Sequence, residues 1–134
     1  MKMELSGLSA LQKGLDLDMQ SLMPEAIDSA MPILVEATRN AIRESIRHPD
    51  QSTGELVGSV TAKKAKELRS GDFYASVDFI GTGSNGTRNA LKAAEMEYGN
   101  SAQAAAPFAD RAVHAAQSAV HAAIEDFIAK RTKL

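Results

Sequence analysis

The chain contains no cysteine and no tryptophan, and aromatic residues are only 4% of its 134 residues. Without cysteine there is no disulfide framework, no thiolate metal site and no cysteine nucleophile. With so few rings, the core has to be aliphatic and alanine-rich. Neither sign of charge dominates: the formal net charge is −2. That balance argues against a generic polyanion binder and leaves room for a local basic cluster. No window approaches the roughly eighteen uninterrupted apolar residues of a membrane span. The opening Met1-Lys-Met-Glu-Leu-Ser lacks the apolar run of a signal peptide, so a soluble protein made in a cytoplasm is expected.

What is present is an ordinary apolar fraction of 44% in a length that suits one domain, residues 1–134. Met1 to Ser6 alternates apolar and polar residues and predicts a short strand. Ser9 to Leu15 reads as a short helix. Ser21 to His48 is the strongest helix, with Ile27, Met31, Leu34, Thr38, Ile42 and Ile46 recurring every three or four positions. Pro32 lies inside it and predicts a kink near Asp28 to Pro32. Arg39, Arg43, Glu44 and Arg47 fall off the apolar stripe and are expected in solvent. Pro49 ends the helix.

The turn-rich stretch from His48 to Ser59 leads to a strand from Val60 to Leu68, interrupted in pattern by Lys63, Lys64 and Lys66. Arg69 to Asp72 suits a hairpin loop, and Phe73 to Ile80 alternates cleanly, so the two strands should pair antiparallel. Gly81 to Asn89 is a polar glycine-rich loop expected to be mobile. Ala90 to Tyr98 predicts a short helix with Leu91, Ala94, Met96 and Tyr98 as its apolar part. Gly99 supplies a stop, and Pro107 with Phe108 restarts the chain into a final helix reaching about Lys130. Tyr98 and Phe108 are expected as core anchors on either side of that joint. Val113, Val120, Ile124 and Phe127 form the last helix's expected stripe. Eleven of the 22 residues from Ala102 to Ala123 are alanine, which permits close helix approach at little buried area per turn. The fold class is therefore α+β: a long kinked N-terminal helix and an alanine-rich C-terminal helix on a small antiparallel sheet.

Few residues ask for catalysis. Gly81-Thr-Gly-Ser-Asn-Gly86 is a literal G-x-G-x-x-G, so a nucleotide- or phosphate-binding protein is one alternative. The preceding strand alternates, however, and no second strand follows to complete a βαβ unit. His114 and His121 are seven residues apart on one helix, about 10.5 Å by helical rise, too far to share a zinc ion. His48 has no ligand partner at metal-site spacing. Glu95 and Glu97 point to different sides of their helix, a poor acid/base pair. No cofactor, metal or catalytic residue is assigned. Lys63, Lys64, Lys66 and Arg69 form the main basic cluster, a solvated strand edge by default and, in a further alternative, a small DNA-binding accessory surface.

Two segments together carry a resemblance. Pro49-x3-Thr53-Gly54-x-Leu56-x2-Ser59-Val60 follows the long helix, and Glu97-Tyr98-Gly99 precedes Ala106-Pro107-Phe108-x2-Arg111-Ala112. In that order and spacing they resemble the signature blocks of the HK97 gp10-like family of bacteriophage and prophage tail-completion or head–tail joining proteins. Asn100 and Arg111 depart from the family pattern, where Thr and Pro are usual. The resemblance implies a non-enzymatic minor tail protein of a long-tailed phage, assembled in the host cytoplasm and located in the virion neck. It implies a homo-oligomer ring, expected to be a hexamer. The ring would cap the tail tube, meet the head–neck connector, and leave a channel for phage DNA without sequence-specific binding. The expected contact residues are Thr53, Gly54, Leu56 and Ser59 of the turn, with Gly81, Gly83, Asn85, Gly86 and Arg88 of the loop. Tyr98, Gly99, Pro107 and Phe108 are the expected structural anchors.

Overall fold

A computed structural model of the chain describes residues 3–4, 22–46, 54–101 and 104–132. The expected helix from Ser9 to Leu15, Thr53, and the histidine at position 48 lie outside the described residues. The elements are β1 (Met3–Glu4), α1 (Met23–Ser45), α2 (Glu55–Gly58), β2 (Val60–Ala62), β3 (Lys66–Glu67), β4 (Phe73–Tyr74), β5 (Ser76–Phe79), α3 (Asn89–Tyr98) and α4 (Ala109–Thr132). The α+β reading holds, with long helices near both ends of the described chain.

Helix α1 follows from its apolar period. Ile27, Met31, Leu34, Thr38 and Ile42 are all buried, together with Met23, Ala26, Ala30 and Ala41 between them. Thr38 sits in this stripe without leaving its hydroxyl unpaired, because Oγ1 donates to the Leu34 carbonyl at 2.7 Å. The helix continues through Pro32, which lies on the exposed side and has no amide for the Asp28 carbonyl one turn back. One residue expected in solvent is engaged: the half-buried Arg39 donates from Nη2 to the Val60 carbonyl at 3.2 Å.

Helix α4 runs beside α1 in the most extensive contact of the molecule. Its buried line is Ala112, Ala116, Val120, Ile124 and Ile128, at intervals of four. The expected stripe was half right: Val120 and Ile124 lie on the line, whereas Val113 and Phe127 flank it half-buried. Alanine at positions 112 and 116 lets the two helix backbones approach, and that approach moves the larger side chains to the margins.

Strand β5 is central in a three-stranded antiparallel sheet of order β1–β5–β2, with Met3 opposite Val77 and Val60 opposite Phe79. The expected strand from Val60 to Leu68 is split. After Lys63 donates to the Ser76 carbonyl, the Ala65 amide turns away and donates to Asp28 Oδ1 of α1 at 2.8 Å. Beyond that break, β3 and β4 pair as a separate two-stranded hairpin, Lys66 opposite Tyr74 and Glu67 opposite Phe73. Its turn is the one expected: Leu68 N–H donates to the Asp72 carbonyl at 2.7 Å, and Gly71 takes φ +89°. Among the described residues no helix is long and apolar enough to cross a membrane.

Candidate interaction surface

The described part of the expected turn, Gly54 to Ser59, and the Gly81–Asn89 loop are distant in sequence, and the fold brings them together. Gly54 takes φ +77° immediately before the single helical turn α2. Glu55, the first residue of that turn, reaches the loop: the Ser84 amide donates to Oε1 and Oε2, each at 3.1 Å. Lys92 of α3 approaches the same carboxylate, with Nζ 3.6 Å from Oε2. Glu55 is thus a latch joining three elements. The hydrogen bond from the Ser84 backbone holds its carboxyl below the ordinary range. The Ser84 hydroxyl and the Lys92 charge act in the same direction, and partial burial opposes them.

The loop itself is closed by its own hydrogen bonds. Gly83 N–H donates to the Thr87 carbonyl at 2.9 Å, Gly86 N–H to the Gly83 carbonyl at 3.0 Å, and Asn89 N–H to the Gly81 carbonyl at 3.0 Å. Asn89 Nδ2 also donates to the Ile80 carbonyl at 2.9 Å, which anchors the base of the loop to the end of β5. Gly83 is buried against the latch, and a methyl group there would overlap Lys92 Nζ and Glu55 Oε2. The glycines of the G-x-G-x-x-G pattern accordingly serve a tight turn. The Ser84 amide of the loop is already bonded to a carboxylate, and among the described residues β5 pairs only with antiparallel neighbours.

The expected contact residues divide by exposure. Gly54, Gly81, Asn85, Gly86 and Arg88 are exposed, and the Glu55 latch ties the turn that begins at Gly54 to the loop that carries the other four. Leu56 is half-buried against the core, and Ser59 is buried with its hydroxyl donating to the Leu56 carbonyl at 2.7 Å. Gly83 is buried as described. Sequence reasoning passed over Glu55 and Lys92, since nothing in an isolated Glu or Lys 37 positions apart signals that they meet.

The joint after α3 corrects one anchor and explains another. Tyr98 is 73% exposed, so it does not anchor the core. The inward positions of α3 are Asn89 and Ala93, both buried, with Met96 packed beside them. Leu91 joins Tyr98 on the exposed side. Three polar residues set this rotation: Asn89 holds the Ile80 carbonyl, Lys92 meets Glu55, and Glu97 caps the next helix. Glu97 Oε2 accepts from the amides of Phe108 at 2.8 Å and Ala109 at 3.1 Å, placing negative charge on the positive end of α4. Gly99 ends α3 at φ +79° with its amide on the Glu95 carbonyl, as the sequence suggests. Phe108 is fully buried and meets Phe79 edge to face, ring centres 5.9 Å apart. Pro107 stands two residues outside α4 rather than in its first turn, and its carbonyl accepts from Arg111 Nη2 at 3.0 Å.

A second concave surface lies between α1 and α4. This groove of about 540 Å³ has Ile33, Ala37, Ala41 and Ala116 on its walls, and Glu44 and Arg111 at its rim 3.9 Å apart. Arg111 also bonds the Ser45 hydroxyl, so the position that departs from the family pattern ties the start of α4 to the end of α1. On α4, His114 is exposed with Nδ1 2.8 Å from the Asp110 carbonyl, and no cluster of metal-ligating side chains occurs among the described residues. Comparisons of the chain with protein-family models, curated proteins and solved structures give no match.

Proposed function

We propose that the chain is a structural protein of a long-tailed bacteriophage or prophage, a tail-completion or head–tail joining subunit without catalytic activity. The reading rests on the sequence resemblance, and one structural observation supports it. Each block that carries the resemblance performs a compact architectural task. Gly54 and Ser59 form and close the turn that holds Glu55 against the 81–89 loop. Glu97 and Phe108 fix the start of the last helix.

A ring closes through heterologous contacts, so each subunit needs two different surfaces. The exposed Gly54, Gly81, Asn85, Gly86 and Arg88 supply one such surface, and the groove between α1 and α4 supplies another of different chemistry. In this reading a homo-oligomer, a hexamer by analogy with the family, caps the tail tube and meets the neck proteins. It works in the virion after assembly in the host cytoplasm.

The test is genetic and structural. Genes beside this one should encode a portal, a capsid protein and a tail tube. Removing the gene from the phage or prophage that carries it should leave filled heads and tails unjoined in negative-stain images, and supplying the chain in trans should restore joining. Deleting 83–88 should abolish joining while circular dichroism remains native. Normal virions without the gene would refute the proposal.

A further inference from the structure

The distribution of charge singles out the β3–β4 hairpin. Eleven lysine and arginine side chains lie among the described residues, and seven of them face a carboxylate within 4.0 Å. Lys63 belongs to the paired set, through Asp78 at 3.4 Å. The four without a carboxylate partner are Lys64, Lys66, Arg69 and Arg88, so three of the four fall within six residues of one hairpin. All three are exposed.

The register separates Lys66 from Glu67. Glu67 stands opposite Phe73, which packs toward the core, whereas Lys66 stands opposite Tyr74. Strand alternation then puts Lys66 on the side away from Phe73, while Lys64 lies in the break just before β3 and Arg69 in the turn just after it, both exposed. Asp72 is drawn into the turn, where its Oδ2 accepts from the Ser70 hydroxyl at 3.3 Å. Among the exposed residues from 64 to 71, three cations therefore face one carboxylate, Glu67, although the whole chain carries −2.

We infer that this hairpin is a docking edge for the phosphate backbone of double-stranded DNA. Complementarity of charge selects a polyanion. The hairpin's only exposed large apolar side chain is Leu68, too little for the apolar centre of a protein–protein interface. Single-stranded nucleic acid is recognised largely by stacking on exposed rings, and the hairpin's rings, Phe73 and Tyr74, are both half-buried. Duplex DNA needs neither, since lysine and arginine at its surface bind by releasing counterions. The inference is independent of the tail-completion reading: a chain that joins no tail can still carry this edge, and a joining protein can lack it.

Fluorescence anisotropy of a 30-base-pair labelled duplex with the full chain tests it. Three phosphate contacts give a slope of about −2.7 in log K against log salt, roughly a 40-fold loss between 50 and 200 mM. The triple variant K64E/K66E/R69E should bind at least tenfold more weakly at 50 mM salt, with a flatter slope. The K64R/K66R/R69K variant should bind as the native chain does. Single variants K64E and K66E should each lose several-fold, and provide the same readout should the triple variant misfold. Lys130→Glu, off the hairpin, should change affinity less than twofold. Absence of binding at 20 mM salt and 100 μM protein would overturn the inference. So would equal binding by the charge-reversed variants, or displacement of the duplex by polyglutamate at the same charge concentration.

Discussion

Phe108→Ala is the substitution that most directly tests how the two ends of the fold are held together. Phe108 is fully buried where the chain enters α4, and its ring meets Phe79 edge to face at 5.9 Å and 79°. Truncating a buried Phe to Ala removes its transfer free energy and leaves a cavity, at a cost of about 3–5 kcal/mol. The aromatic pair accounts for about 0.5–1.5 kcal/mol of that figure. For a chain of this size the midpoint of thermal unfolding should fall by roughly 10–20 °C. Urea unfolding followed by circular dichroism provides the measurement, with a lower midpoint and unchanged slope as the expected pattern. The partner experiment is Tyr98→Ala, on a side chain 73% exposed. Its effect should stay within about 0.5 kcal/mol. A Phe108→Ala loss below about 1 kcal/mol would refute the packing argument. A Tyr98→Ala loss matching that of Phe108→Ala would refute the assignment of which aromatic anchors the joint. A double-mutant cycle with Phe79→Leu should show coupling between the two rings.

Two further outcomes follow from the carboxylates. Glu97→Ala leaves the Phe108 and Ala109 amides without their acceptor, and should destabilise the fold by about 1 kcal/mol in the same urea assay. Glu97→Gln should lose less, because its carbonyl oxygen can still accept; an unperturbed Glu97→Ala would show that the cap contributes nothing. The Glu55 latch should open in acid. Its folded-state carboxyl is held below the ordinary value of 4.5, so the stabilisation is present above that value and lost as pH falls through the lower one. The Ser84 amide resonance should titrate with a midpoint below 4.5, and in Glu55→Gln that step should vanish. A Ser84 amide indifferent to pH between 2 and 6 would sink the latch.

The long helices were legible because each carries its own periodic signal over many turns. Ile27, Met31, Leu34, Thr38 and Ile42 fall on one side of a 3.6-residue helix wherever that helix packs, and all five are buried. The alternation from Phe73 onward put Val77 and Phe79 inside, but the single strand expected from Phe73 to Ile80 is divided at Ala75 into β4 of the hairpin and β5 of the larger sheet. Short elements gave weaker signals. In α3 the apolar residues Leu91 and Tyr98 are outside and Asn89 is inside, because polar contacts to Ile80, Glu55 and α4 set the rotation of a ten-residue helix. Its apolar content was too small to outweigh them.

The sequence alone determined the inventory: two long helices, a hairpin turn at 69–72, a glycine stop at 99 and an aliphatic core without disulfides. Local steric preference and hydrophobic period act over a few residues, and so they survive in a single sequence. Tertiary structure alone decided which distant groups meet. It broke the Val60–Leu68 strand by drawing the Ala65 amide to Asp28, and it placed Glu55 against Ser84 and Lys92. It also sorted Lys63 from Lys64, Lys66 and Arg69 by giving only the first a carboxylate partner among the described residues. Hydrogen bonds and ion pairs need donor and acceptor within a few ångströms, and only the packed chain fixes that distance.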